Sequence, residues 1–273
     1  MLLGSVTELQ EGHRGQAVVV GSHGGCATGW HALRCGIAAL LCHDAGIGFE
    51  EAGVQALRVL QAAGRPCAAI GHMSARIGDP EDMLERGRVS RLNSAAALLG
   101  VRPAMSGREA LARLGAAPQP GAGPVEEEAP SFRRECRPGR GDGPRLVLLD
   151  SVSSVRPEDE GAILVTGSHG GLPGNAAGRA LAVRPALAVF NDAGIGIDGA
   201  GTRRLAVLEG MGVAGACVDA GTARIGDARS TLETGRISAL NRQAGQLGAM
   251  AGSALGAWLA AAGRSPNDER ITT

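Results

Sequence analysis

The chain is written twice. Residues 2–25 return at 148–171, an offset of 146, and HDAGIG at 43–48 returns as NDAGIG at 191–196, an offset of 148. ARIGD at 75–79 reappears at 223–227, and ERGRVSRLN at 85–93 reappears as ETGRISALN at 233–241. A single two-residue indel between Gly25 and His43 reconciles the offsets. A repeat of this length constrains the fold to two copies of one unit. The first copy is assigned to 1–105 and the second to 145–262. Residues 106–144 open on a short helical pattern, SGREALARLGA, and continue as a Pro-, Gly- and charge-rich flexible linker. Residues 263–273 read as a disordered tail.

Within each copy, short apolar runs alternate with amphipathic stretches. Strands are expected at 17–20, 37–41 and 67–70, and again at 163–166, 186–190 and 214–218. Helices are expected over 50–63 and 198–210, and closing helices over 88–99 and 236–247. A leading strand (2–6 or 147–152) is expected to pair antiparallel with the next. This alternation predicts an α/β fold, two tandem Rossmann-like β/α units with mostly parallel sheet. Pseudo-twofold symmetry is expected between them, as one continuous sheet or as two lobes. The apolar Gly/Ala-rich segment 244–262 is a candidate interface helix for a homo-oligomer.

Composition removes whole classes of chemistry. The 27 basic residues are all arginine, and neither lysine nor tyrosine occurs. Schiff-base enzymes and Walker-type nucleotidases both need a lysine, so neither fits. Basic and acidic residues balance at 27 each, which argues against a nucleic-acid partner. No apolar run approaches a membrane span, and no secretory leader is expected at MLLGSVTELQEG. The six cysteines have no disulfide-scaffold spacing, so a cytoplasmic location is expected. With three Phe and two Trp, the core must be aliphatic.

The repeated polar motifs all follow strands, where ligands bind in open parallel sheets. Ser22-His23-Gly24-Gly25 and Ser168-His169-Gly170-Gly171 offer a nucleophile, a base and backbone amides for an anion. Asp44 and Asp192 are candidates to orient that histidine. Gly46, Gly48, Gly194 and Gly196 then open the loop to a ligand. Arg76 and Arg224 suit a bidentate clamp on a carboxylate or phosphate, while Asp79 and Asp227 are either ligand contacts or helix N-caps. Ser90 with Asn93, and Ser238 with Asn241, sit three apart and would share a helix face; Asn93 and Asn241 are the candidate ligand contacts. His23, His43 and His72 near strand ends leave a divalent metal open, although no ligand spacing matches a zinc signature and no cofactor is required.

An apolar strand ending in Ser-His-Gly, followed by one ending in Asp-Ala, resembles the caspase-type peptidase pattern. There the resemblance implies His as base and a Cys after Asp-Ala; here Gly46 or Gly194 holds that place, and the likeness covers only these two motifs. The expected function is an acid–base enzyme of hydrolase type acting on a small anionic metabolite. His23 or His169 would be the base, Asp44 or Asp192 the orienting carboxylate, and Ser22 or Ser168 a nucleophile. The second copy is the cleaner candidate, since Asn191 stands where the first has His43. The alternatives are a non-catalytic anion-binding or regulatory module, and an accessory subunit of a larger enzyme.

Overall fold

The computed structural model describes residues 1–121, 133–136, 144–173 and 181–261. Two compact units emerge. One comprises Met1–Pro130, Gly171–Ala177 and Ala193–Gly201; the other comprises Ser131–Gly170, Gly178–Asp192 and Thr202–Thr273.

The first unit is built on five strands in sequential order: β1 (Leu2–Leu3), β2 (Ala17–His23), β3 (Ala39–His43), β4 (Cys67–Ile70) and β5 (Val89–Leu92). Helices α1 (Cys26–Arg34), α2 (Ala56–Ala62), α3 (Pro80–Glu85), α4 (Ser94–Leu98) and α5 (Gly107–Leu114) cover it. Only the β4–β5 pairing is antiparallel. The second unit carries β6 (Arg133–Cys136), β7 (Leu146–Leu149), β8 (Ile163–His169), β9 (Leu187–Asn191), β10 (Ala214–Val218) and β11 (Ile237–Leu240). They lie in the order β11-β10-β9-β8-β7-β6, with the two outermost pairings antiparallel. Its described helices are α6 (Arg204–Gly210), α7 (Ala228–Glu233), α8 (Arg242–Gln246) and α9 (Leu255–Ala261). The architecture is thus α/β, with two mostly parallel sheets consistent with two Rossmann-like units.

Strand sequences explain the burial. Val18 and Val20 face one core with Leu40, Cys42, Cys67 and Ala69. Val19 faces the other with Leu41, Ala68 and Ile70. A sheet covered on both faces needs apolar residues at every position, which is why these strands read as continuous runs. The second unit repeats the split, with Val147, Leu164 and Phe190 on one side and Leu148, Val165 and Val189 on the other.

Four expectations are corrected. The leading strands β1 and β7 run parallel to β2 and β8, not antiparallel. Two 3-10 turns in each connection, Val6–Glu8 with Glu11–His13 and Val152–Ser154 with Pro157–Asp159, give the chain the length to cross over. The closing segments are not single helices: each is a strand, β5 or β11, then a short helix capped by Asn93 or Asn241. β-branched Val89 and Ile237 are buried as the strands pair with β4 and β10, and this outweighs the helical spacing of the polar residues.

Segment 244–262 is likewise not one helix. It breaks after α8, with Gly248 and Gly252 at positive φ, and Leu255, Trp258 and Leu259 of α9 fill the second unit's own core. Residue 262 lies outside the described residues. Nor is 106–144 without regular structure. Ala110 and Leu114 of α5 pack in the first core, as the helical pattern suggested. β6 extends the second sheet, anchored by Arg133, whose guanidinium donates to both carboxylate oxygens of fully buried Asp159 at 3.0 and 2.7 Å. The rest of that stretch at 122–132 and 137–143, and the tail at 263–273, lie outside the described residues.

Candidate active site at the strand ends

Parallel pairing brings the carboxyl ends of neighbouring strands to one edge. His23 closes β2 in register with His43 at the end of β3, and β4 ends opposite it at Ile70. Asp44 and His72 lie just beyond those strands. They form the centre of the arrangement. Asp44 is buried, and its Oδ1 accepts hydrogen bonds from the His72 amide at 2.8 Å, from His72 Nδ1 at 3.1 Å and from the Gly46 amide at 3.0 Å. Its Oδ2 accepts from Ser90 Oγ at 2.8 Å. Burial pushes the Asp44 carboxyl upward. The bonds from His72 and Ser90 and the nearby His43 and His72 outweigh it and hold the group below its usual range. A carboxylate bonded to one imidazole nitrogen fixes that ring's orientation and tautomer. The histidine that Asp44 orients is therefore His72, not His23.

His43 is a structural histidine. Its Nδ1 accepts from the Ala45 amide at 3.1 Å, so its Nε2 carries the proton donated to the Ala75 carbonyl at 3.0 Å. Burial pushes its pKa down, against the raising influence of Asp44. In the second copy Asn191 Nδ2 donates to the Ala223 carbonyl at 3.1 Å, the same bond from a different side chain. His23 is pushed down to about 4, first by burial and then by His43, so it is neutral near pH 7. Its ring lies against Gly25, where a Cβ would stand 2.8 Å from it.

The serines of the Ser-His-Gly-Gly motifs close the crossover turns. Ser22 Oγ accepts from the Val6 amide at 3.2 Å, and Ser168 Oγ from the Val152 amide at 2.9 Å. Neither is placed as a nucleophile by these bonds. The first glycine amides are also engaged, Gly24 with the His43 carbonyl at 3.0 Å and Gly170 with the Asn191 carbonyl at 2.8 Å. Gly25 is the N-cap of α1, and Gly171 follows β8 and Gly170.

The Asp-Ala-Gly-Ile-Gly loops wind the other way. Ala45, Gly46, Ile47 and Gly48 all have positive φ (48°, 74°, 64° and 72°). Ala193, Gly194, Ile195 and Gly196 repeat this at 51°, 74°, 63° and 72°. Left-handed backbone costs an L-residue about 1–2 kcal/mol, and glycine far less. Asp44 holds the turn with its side chain on the Gly46 amide and its carbonyl on the Ile47 amide at 2.7 Å. Strain of this kind concentrates at functional sites. Within the first unit, the Ile197 amide donates to the His72 carbonyl at 2.9 Å, and Gly194 lies against the His72 ring.

The two candidate clamp arginines form ion pairs within the chain. Arg76 donates to Asp79 and Asp82, both at 3.2 Å, and Arg86 grips both Asp82 oxygens at 2.7 and 2.9 Å while reaching Asp198 at 3.0 Å. Arg224 Nε donates to Asp227 at 3.2 Å. Asp79 and Asp227 cap α3 and α7 through the Asp82 and Ser230 amides. Asn93 and Asn241 are engaged within the chain too. Asn93 Oδ1 accepts from the Cys67 and Ala96 amides, and its Nδ2 donates to the Arg65 and Leu57 carbonyls. Asn241 repeats this with Gly215, Ala244, Val213 and Leu205. These amides join a strand, a helix start and a loop, and their hydrogen-bonding capacity is used.

In the second copy, buried Asp192 accepts from the Ala220 amide at 2.9 Å, the counterpart of the His72 amide bond. Ala220 takes the His72 place, so the oriented imidazole belongs to the first copy, not to the second that the sequence favoured. His169 ends β8 in register with Asn191. Among the described residues no group of three or more His, Cys, Asp or Glu is placed to hold a metal ion. None of their helices is long and apolar enough to cross a membrane. Comparison with protein-family models, curated proteins and solved structures finds no match.

Proposed function

We propose that the first copy performs acid–base chemistry of the hydrolase type on a small polar metabolite. The observation that supports this is the bond from His72 Nδ1 to buried Asp44. With Nδ1–H directed at the carboxylate, Nε2 is the nitrogen that exchanges a proton with substrate or an attacking water. His72 is the general base, Asp44 positions it, and Ser90 holds the second Asp44 oxygen. The left-handed loop at 193–196 lies beside the ring, with Gly194 against it. Arg76 is paired with Asp79 and Asp82, so no free cation beside the ring is assigned to an anionic substrate group. No metal or organic cofactor enters the proposal. The free thiols of Cys26, Cys35, Cys42, Cys67 and Cys217 support a reducing compartment such as the cytoplasm.

A binding module is the second reading, and the engaged hydroxyls of Ser22 and Ser168 favour it, because they leave the site without a placed side-chain nucleophile. A hydrolysis screen with small amides, esters and lactams separates the two. In the enzyme, His72→Gln and Asp44→Asn each lower turnover by about a hundredfold or more, the scale of a lost general base. Unchanged turnover in His72→Gln would overturn the assignment. Saturable binding without product from any of the panel would support the module.

A further inference from the structure

A concavity lies on the first unit, between the α2 face and the end of β5. It has a volume of about 530 Å³ and is lined by Glu51, Leu57, Arg58, Arg91, Leu92 and Ser94, with Val54 beneath them. Its floor is apolar. Two guanidiniums line it against one carboxylate, an excess of one positive charge. Arg58 pairs with Glu51, whereas Arg91 donates to the Ser90 carbonyl at 3.0 Å and has no carboxylate partner among the described residues.

The duplication supplies an independent observation. The floor is retained in part in the second copy, where Leu205 and Leu240 match Leu57 and Leu92 while Thr202 stands in place of Val54. The charges are not: Arg58 and Arg91, far apart in sequence but facing one groove, are matched by Ala206 and Ala239, and Glu51 by Gly199. The second copy carries instead Arg242 at the place of Ser94 and Glu209 at the place of Gln61, an ion pair that balances, so the excess positive charge belongs to the first copy.

We propose that this groove binds a small organic monoanion, an apolar body ending in one carboxylate or sulfonate. The body lies on Val54, Leu57 and Leu92, and the anionic end is held by Arg91 with Arg58 beside it. The site is separate from Asp44 and His72 and does not depend on their chemistry.

The test is a fluorescence titration of the whole protein with anilinonaphthalene sulfonate, an apolar monoanion, followed by competition. The expected result is saturation at one probe per chain, weakened about tenfold by Arg91→Ala and by Arg58→Ala, as for a lost charge-assisted contact. Glu51→Gln tightens binding, octanoate displaces the probe, and uncharged octanol at the same concentration does not. Both arginines are on the surface, and thermal melting confirms that the variants stay folded. Probe binding that never saturates, or that survives both arginine substitutions unchanged, would overturn the proposal. Equal displacement by octanol would overturn it as well, because the charge would then have no part.

Discussion

His72 meets one oxygen of Asp44 twice, through its backbone amide at 2.8 Å and its ring Nδ1 at 3.1 Å. The two contacts fix both where the loop runs and which way the ring faces. In Asp44→Asn the amide oxygen can still accept both bonds but no longer supplies the charge that sets the tautomer. The expected outcome is a mixture of His72 tautomers, seen in the nitrogen chemical shifts of the imidazole. A single unchanged tautomer in that variant would show that Asp44 does not position the ring.

Acid should loosen the first unit in a defined window. His23 is held at about 4 against an ordinary 6.5, and His43 is displaced in the same direction, both by burial. Between those values the unfolded chain binds protons that the folded chain refuses, so stability rises with pH and is lost on acidification from about 6.5 to about 4. Asp44 is depressed, so its contribution is present above its ordinary range and disappears as pH falls through its lower folded value. Melting temperatures measured from about pH 8 down to about pH 4 should fall across the histidine window, and His23→Asn should flatten the slope there. An equal slope in that variant would remove His23 as its source.

Asn93 closes four hydrogen bonds at one junction. Asn93→Ala loses a helix cap and leaves buried backbone groups unpaired, a combined cost of about 2–4 kcal/mol. Asn241→Ala should cost the second unit a similar amount. Urea denaturation measures both, and a loss below the cap alone would show that water replaces the junction.

Asp159 is fully buried and holds Arg133 of β6 bidentately. Asp159→Asn leaves that guanidinium without its counter-charge, at a cost of about 3 kcal/mol. Amide exchange over residues 133–136 should quicken much more than exchange in β9. Equal quickening would mean that the pair supports the unit as a whole and not the attachment of β6.

Much of this was legible before any coordinates. The third strands fall at 67–70 and 214–218 as their apolar runs foretell, because a doubly covered sheet leaves a continuous apolar signal. Asp79 as an N-cap followed by Pro80 was also readable. The pairing of Asp44 with His72 was less so. His72 has no repeat in the second copy, and identity between copies marks junctions such as Asn93 and turns such as Ser22 instead. The signal available was positional: Asp44 and His72 each lie just beyond a strand, and parallel neighbours place such residues side by side. The strand nature of β5 was hidden for another reason. Four residues at a sheet edge carry too short a period to compete with the i, i+3 spacing of Ser90 and Asn93.

The turn at residues 45–48 runs against the hand natural to L-amino acids, and Ala45 and Ile47 take part in it without the freedom of glycine. Asp44 is the peg that keeps it wound, its carboxylate on the Gly46 amide and its backbone carbonyl on the Ile47 amide, and that carboxylate also carries the His72 ring. Position and chemistry therefore hang on one latch. A proton on that carboxylate would do more than remove a charge: it would slacken a cocked spring, and the loop beside His72 would move with it.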